Sequence, residues 1–170
     1  ANEEDPDVMA RRPELRYMPA QAVAAWVQQK RNFLTQNPNP ETRRAFIQVR
    51  RDLVKALHDA GAGLLLGSDA PQWWNVPGFS ALRELEALVA AGLTPYQALE
   101  TGTRNVAVYF GTTERAGTIE VGKQADLVLL EANPLADIRN VWRRAGVMIR
   151  GRWLPAGDIE ARLNEFAANR

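Results

Sequence analysis

Cysteine is absent from the chain and histidine occurs once, at position 58. The first absence excludes disulfides and thiolate metal sites without choosing a compartment. No apolar run approaches the roughly 20 residues that a membrane-crossing helix needs, and the N-terminal residues lack a signal-peptide pattern. A surplus of one charge sign is missing too. Lys and Arg number 21 against 20 Asp and Glu, for a formal net charge of +1, so there is no electrostatic case for nucleic acid or for an anionic membrane surface. The basic pairs Arg43-Arg44, Arg50-Arg51 and Arg143-Arg144 read as solvated faces. There is no internal repeat and no low-complexity tract.

What remains is a chain of 170 residues, 46% of them hydrophobic, which is enough for one domain with a real core. It opens without methionine, in the polar Ala1-Asn2-Glu3-Glu4-Asp5-Pro6, which reads as a surface loop entered mid-protein. A processed precursor or a cleaved protein would each give that start.

The stretch Gly63-Leu64-Leu65-Leu66-Gly67-Ser68-Asp69-Ala70 is the pivot. A short apolar run bounded by glycines reads as a strand buried on both faces, as in a parallel sheet. In a closed β/α barrel the active site is built where strands end, and Asp69 sits at such a point. An Asp that only caps a turn has the same spacing. Directly behind it, Pro71-Gln72-Trp73-Trp74-Asn75-Val76-Pro77-Gly78-Phe79 is a loop rich in large aromatics. Trp73 and Trp74 suit the wall of a substrate pocket and equally a hydrophobic plug.

Around this pivot the pattern is helical. Met9 to Thr35 reads as two pieces, with Pro13 and Pro19 as interruptions or first turns, and Val23, Trp26, Val27, Phe33 and Leu34 share one side. Asn39 and Pro40 are a good cap and first position for a helix with Phe46, Val49, Leu53 and Leu57 as its apolar stripe, ended by Gly61. His58, in its last turn, suits a cation near a helix C-terminus better than a metal ligand. Ser80 is expected to cap a helix turning Leu82, Leu85, Leu88 and Val89 inward. Thr94-Pro95-Tyr96-Gln97 is a capping box with proline at the first position, and Thr103 to Phe110 continues helical.

From Gly117 the character changes. Thr118 to Val121 reads as a short strand and Leu127-Val128-Leu129-Leu130 as a buried one. Gly146 to Arg150 and Arg152 to Leu154 flank a tight turn at Arg150-Gly151. Asp158 to Ala168 is a helical tail, with Ile159, Leu163 and Phe166 on one side.

Two things are then missing. A strand buried on both faces needs neighbours on both sides, and the chain supplies no second strand of that type before residue 117. A catalytic zinc usually takes three protein ligands, and one histidine with one aspartate cannot make them. Both absences put the partners outside these 170 residues.

The order Gly67-Ser68-Asp69, Pro77-Gly78-Phe79, Arg83-Glu84-Leu85, Ala91-Gly92-Leu93-Thr94-Pro95-Tyr96-Gln97-Ala98-Leu99 and Thr103-Arg104-Asn105 with Ala107 resembles the metal-dependent amidohydrolase superfamily. Gly117-Thr118-Ile119-Glu120-Val121-Gly122-Lys123-Gln124-Ala125-Asp126-Leu127-Val128-Leu129-Leu130 with Asn133-Pro134-Leu135 resembles the segment with which such chains leave the barrel for a β-sandwich. The likeness covers roughly residues 40 to 154 and points to the imidazolonepropionase-like and Xaa-Pro dipeptidase-like branch.

The resemblance implies an α/β fold: the C-terminal part of a (β/α)8 barrel, with the last strand at 63–68 and its flanking helices, plus part of a small β-sandwich. Residues 1–112 are then barrel with an inserted helical segment, 113–156 the sandwich return and 157–170 a terminal helix. It also implies that Asp69 is the strand-eight aspartate. In such enzymes that carboxylate binds the metal through one oxygen, contacts the metal-bound water through the other, and passes a proton to the leaving nitrogen.

The family's paired histidines on the first strand, its bridging lysine or glutamate on the fourth, and its histidines on the fifth and sixth have no counterpart here. One or two Zn2+ ions would be completed by ligands outside this chain, on the N-terminal part of the same enzyme. The implied activity is hydrolysis of an amide or other C–N bond, a dipeptide among the substrates, with Trp73 and Trp74 on the substrate side. The alternatives are a non-catalytic scaffold or interaction fragment that keeps the framework, and a metal-dependent ester or lactone hydrolase. Compartment and association of like copies stay open.

Overall fold

The computed structural model describes residues 4–169. Local signals decide most of its helices. α1 (Pro6–Met9) is capped by the Asp5 carboxylate, which accepts from the amides of Asp7 and Val8. The polar start read as a loop therefore enters a short helix at Pro6, while Ala1–Glu3 lie outside the described residues. A 3-10 turn (Pro13–Tyr17) and α2 (Ala20–Gln36) follow. These are the two helical pieces read between Met9 and Thr35, and they start at Pro13 and just after Pro19 because each proline lacks the amide that would continue a preceding turn.

α3 (Pro40–Asp59) begins as its sequence prescribes, with Asn39 Oδ1 accepting from the Glu41 amide at 2.8 Å, and Gly61 takes φ +80° just beyond its end. α5 (Pro95–Thr101) has the reciprocal capping box: Thr94 Oγ1 accepts from the Gln97 amide at 3.2 Å and Gln97 Oε1 from the Thr94 amide at 2.8 Å. The expectation for Ser80 is overturned. α4 (Phe79–Ala90) starts after Gly78 at φ +82° with no side-chain cap, and Ser80 is buried inside its first turn. α6 (Arg104–Tyr109) and the terminal α7 (Ala156–Ala168) complete the helices.

The sheet is small and antiparallel, in the order β1 (Leu127–Leu130), β2 (Arg144–Ile149), β3 (Arg152–Pro155). Its hairpin closes with Ile149 opposite Arg152, and Arg150 and Gly151 take φ 49° and 80°, the left-handed pair that a two-residue primed turn requires. Two strand readings need correction. Thr118 to Val121 forms no strand, and Ile119 and Val121 stand in solvent. β1 is formed but not buried: its far edge has no partner strand among the described residues, and Val128 and Leu129 are exposed.

Two apolar cores organise the whole. The first joins Met9, Leu15, Tyr17, Trp26, Trp74 and Val76, with Leu163 and Ala167 of α7 packed against it. The second joins Leu85 and Leu88 of α4, Leu93, Ala98 of α5, and Ile138 and Val141 ahead of β2. Leu64 and Leu66 pack onto this second core, as does Val54 of α3. The apolar stripe of α3 does not: Phe46, Val49, Leu53 and Leu57 all face solvent.

Candidate active site

Residues 63–69 pair in no sheet among the described residues, so the strand read as buried on both faces has neither neighbour within this chain. Successive side chains of an extended segment alternate between faces, and burial alternates in that way from Leu64 to Asp69. Leu64, Leu66 and Ser68 are partly buried, while Gly63, Leu65, Gly67 and Asp69 are exposed. The Leu64 and Leu66 face packs on the second core, and the other face is the more open, with Leu65 40% exposed.

The helix side holds the segment by named contacts. The Leu66 amide donates to the Thr101 carbonyl at 2.9 Å, and Asn105 Nδ2 donates to the Leu64 carbonyl at 3.0 Å. Gly102 permits this approach, since a Cβ there would come within 2.8 Å of Leu66 Cδ2. The amides of Leu65 and Gly67 have no backbone partner among the described residues. In a sheet such amides are bonded by a neighbouring strand.

Asp69 ends the segment on the open face, at φ 53°, a left-handed conformation that Asp tolerates better than most residues. Gln72 Nε2 donates to Asp69 Oδ2, and Oδ1 accepts no hydrogen bond among the described residues. The same loop grips the preceding residue twice. Asn75 Nδ2 donates to the Ser68 carbonyl, and Ser80 Oγ lies 2.9 Å from Ser68 Oγ. Gln72 and Asn75 had no assigned part in the sequence reading, and Ser80 was read only as a helix cap; the one local signal is a carboxamide three residues beyond Asp69.

The adjacent tryptophans part company. Trp74 is 7% exposed, at φ 65°, with its ring 6.0 Å from that of Trp26. Its Nε1 is buried without a hydrogen-bond partner among the described residues. Trp73 is 51% exposed. Both line a cleft of about 440 Å³ between α2 and α4, together with Lys30, Ser68, Arg83 and Glu84. Ser68, on the partly buried side of the segment, also lines this cleft, and Asp69 does not.

The cleft is dense in charge. Arg83 pairs with the buried Glu14. Lys30 is 5% exposed, and burial, with Arg43 and Arg12 nearby, holds its pKa below the usual lysine value. Burial also raises the Glu84 carboxyl above the usual range, against the pull of Arg50. His58 stands apart from all of this, in the last turn of α3, with Nδ1 3.4 Å from Asp59 Oδ1.

Residues 17–154 match the model of the Amidohydrolase family. The chain belongs to that family. Over 117 residues it is 32% identical to the imidazolonepropionase of Maricaulis maris (strain MCS10), a match that takes in 64% of this chain and 28% of that protein. A solved structure of a putative prolidase from Bifidobacterium longum is 38% identical, with a TM-score of 0.54, over 66% of this chain and 29% of that one. A bottromycin amidohydrolase structure superposes over 95% of this chain and 36% of its own, with a TM-score of 0.72; at 24% identity that likeness speaks for the fold alone. The chain therefore spans little more than a quarter to a third of the length of each of these three proteins.

Amidohydrolases are generally metal-dependent, so the fit of the present residues to a metal is a direct question. Among the described residues no group of three or more His, Cys, Asp or Glu side chains stands ready to hold an ion. Asp69 fits as one hard oxygen ligand with an open oxygen. It fits as one member of a set and no more.

Proposed function

We propose that this amidohydrolase chain supplies the last barrel strand and one ligand of a metal-dependent hydrolase that cleaves an amide or related C–N bond, a dipeptide among its substrates. The observation that carries the proposal is the segment 63–69: apolar, outside any sheet, packed on helices through Leu64 and Leu66, more open on the side of Leu65, and ending in an exposed carboxylate. A segment of that composition is stable only as part of a sheet, and the remaining strands and histidine ligands belong to the N-terminal part of the same enzyme.

A bound divalent ion such as Zn2+ supplies Lewis-acid polarisation of the scissile carbonyl and makes a nucleophile of water near neutral pH. The chain's own contribution is the Asp69 carboxylate, which takes one proton from the attacking water. The water oxygen bonds to the carbonyl carbon, the C–N bond breaks, and the proton held by Asp69 leaves on the amine nitrogen. Trp73, exposed and four residues beyond Asp69, is the aromatic available to the substrate side, whereas Trp74 braces the loop from within the core.

Metal analysis of the intact protein tests the proposal. The expected result is one or two zinc equivalents travelling with a polypeptide complement larger than these 170 residues. A 170-residue species that is folded, alone and metal-free in its native source sinks the catalytic reading.

A further inference from the structure

A carboxylate on an exposed chain end rotates freely about its last torsion, which is broad and two-fold rather than staggered. In Asp69 that freedom is reduced. The Gln72 carboxamide donates to Oδ2, which restrains the carboxylate plane and leaves Oδ1 without a hydrogen bond among the described residues. Gln72 is itself well braced. Its carbonyl accepts from the Asn75 amide at 2.9 Å in an isolated antiparallel bridge, and Asn75 in turn holds the Ser68 carbonyl. The loop thus closes on the strand end at both Ser68 and Asp69.

The Gln72 side chain differs from its neighbours in one respect that decides its role. Trp74, Val76 and Ser80 are buried and hold the loop together by packing. Gln72 is exposed, its amide has no hydrogen-bonding partner other than Asp69 among the described residues, and the core gains nothing from it.

Resting on the reading of Asp69 as a metal ligand, we infer that Gln72 is a positioning residue: it orients the Asp69 carboxylate so that Oδ1 is the oxygen offered to a divalent metal ion. Hydrogen bonds of this kind to a ligating carboxylate are worth about 10–100-fold in metal affinity. Asn75 and Ser80 support the same geometry from below, through Ser68.

The test is zinc affinity of the intact protein, measured by competition with a chromophoric chelator, alongside its thermal unfolding midpoint in the metal-free state. Gln72→Met keeps the side-chain length and removes the donor. The expected result is zinc binding weakened by about 10–100-fold with the midpoint unmoved. Affinity equal to wild type, or a loss that comes with a lowered midpoint, overturns the positioning role. Asp69→Asn is the control that separates the two claims. If it abolishes tight zinc binding while Gln72→Met does nothing, the inference fails and the hydrolase reading stands; if it too leaves zinc binding intact, both fail.

Discussion

Asp69→Asn in the intact protein lowers turnover by roughly three orders of magnitude, the scale of losing a positioned acid–base group, while the unfolding midpoint of the metal-free protein stays where it was. The structure explains why both halves should hold. Asn has the same size, adopts the left-handed backbone as readily as Asp, and still presents a carbonyl oxygen to Gln72 Nε2. Asp69 is exposed and contributes to neither apolar core, so the fold does not depend on it. What the substitution removes is the negative charge that binds a metal and the basic oxygen that carries the proton. Steady-state kinetics on an amide substrate of the intact protein read the effect directly. Turnover within a few-fold of wild type would remove Asp69 from the chemistry.

The second large effect concerns α3, which the 170 residues leave half used. Val54 packs on the second core, yet Phe46, Val49, Leu53 and Leu57 face solvent. Such a stripe on an otherwise polar helix marks a face that is covered elsewhere. Leu53 is 57% exposed in this chain, so Leu53→Asp here should change stability by no more than about 0.5 kcal/mol. In the intact protein the same substitution drives a carboxylate into the packing between helix and barrel, at a cost of about 3 kcal/mol or more. Urea unfolding of both forms makes the comparison. Equal tolerance in the two would mean that the stripe meets no other part of the protein.

The contrast between these sites and the helix ends explains what the sequence could tell. Asn39 with Pro40, and Thr94 with Gln97, announce their helices because a cap is satisfied within three residues. The Arg150-Gly151 turn is equally local. Thr118 to Val121 looked like a strand on composition alone, but a strand exists only with a partner to bond, and none is among the described residues. Ser80 had the chemistry of a cap, yet Gly78 starts the helix and Ser80 turns inward to Ser68, a choice set by tertiary packing.

The candidate site divides in the same way. Asp69 was legible, because a carboxylate at the end of an apolar run is a local feature and the family resemblance gave it a role. Trp73 and Trp74 were indistinguishable by type. Their separation, one exposed and one against Trp26, depends on α2, some 50 residues earlier in the chain. Gln72 was invisible as a holder of Asp69, since exposed carboxamides are common and only the loop's return brings this one to Oδ2.

Hydrogen exchange at Leu65 and Gly67 tests the central claim most directly, since their amides have no backbone acceptor among the residues described. In the intact protein both amides should exchange as slowly as those of the core, held by strands on either side, and in the 170-residue chain by itself both should exchange at the rate of an open loop. Rapid exchange in the intact protein, or strong protection already present in the isolated chain, would contradict a barrel strand completed from elsewhere.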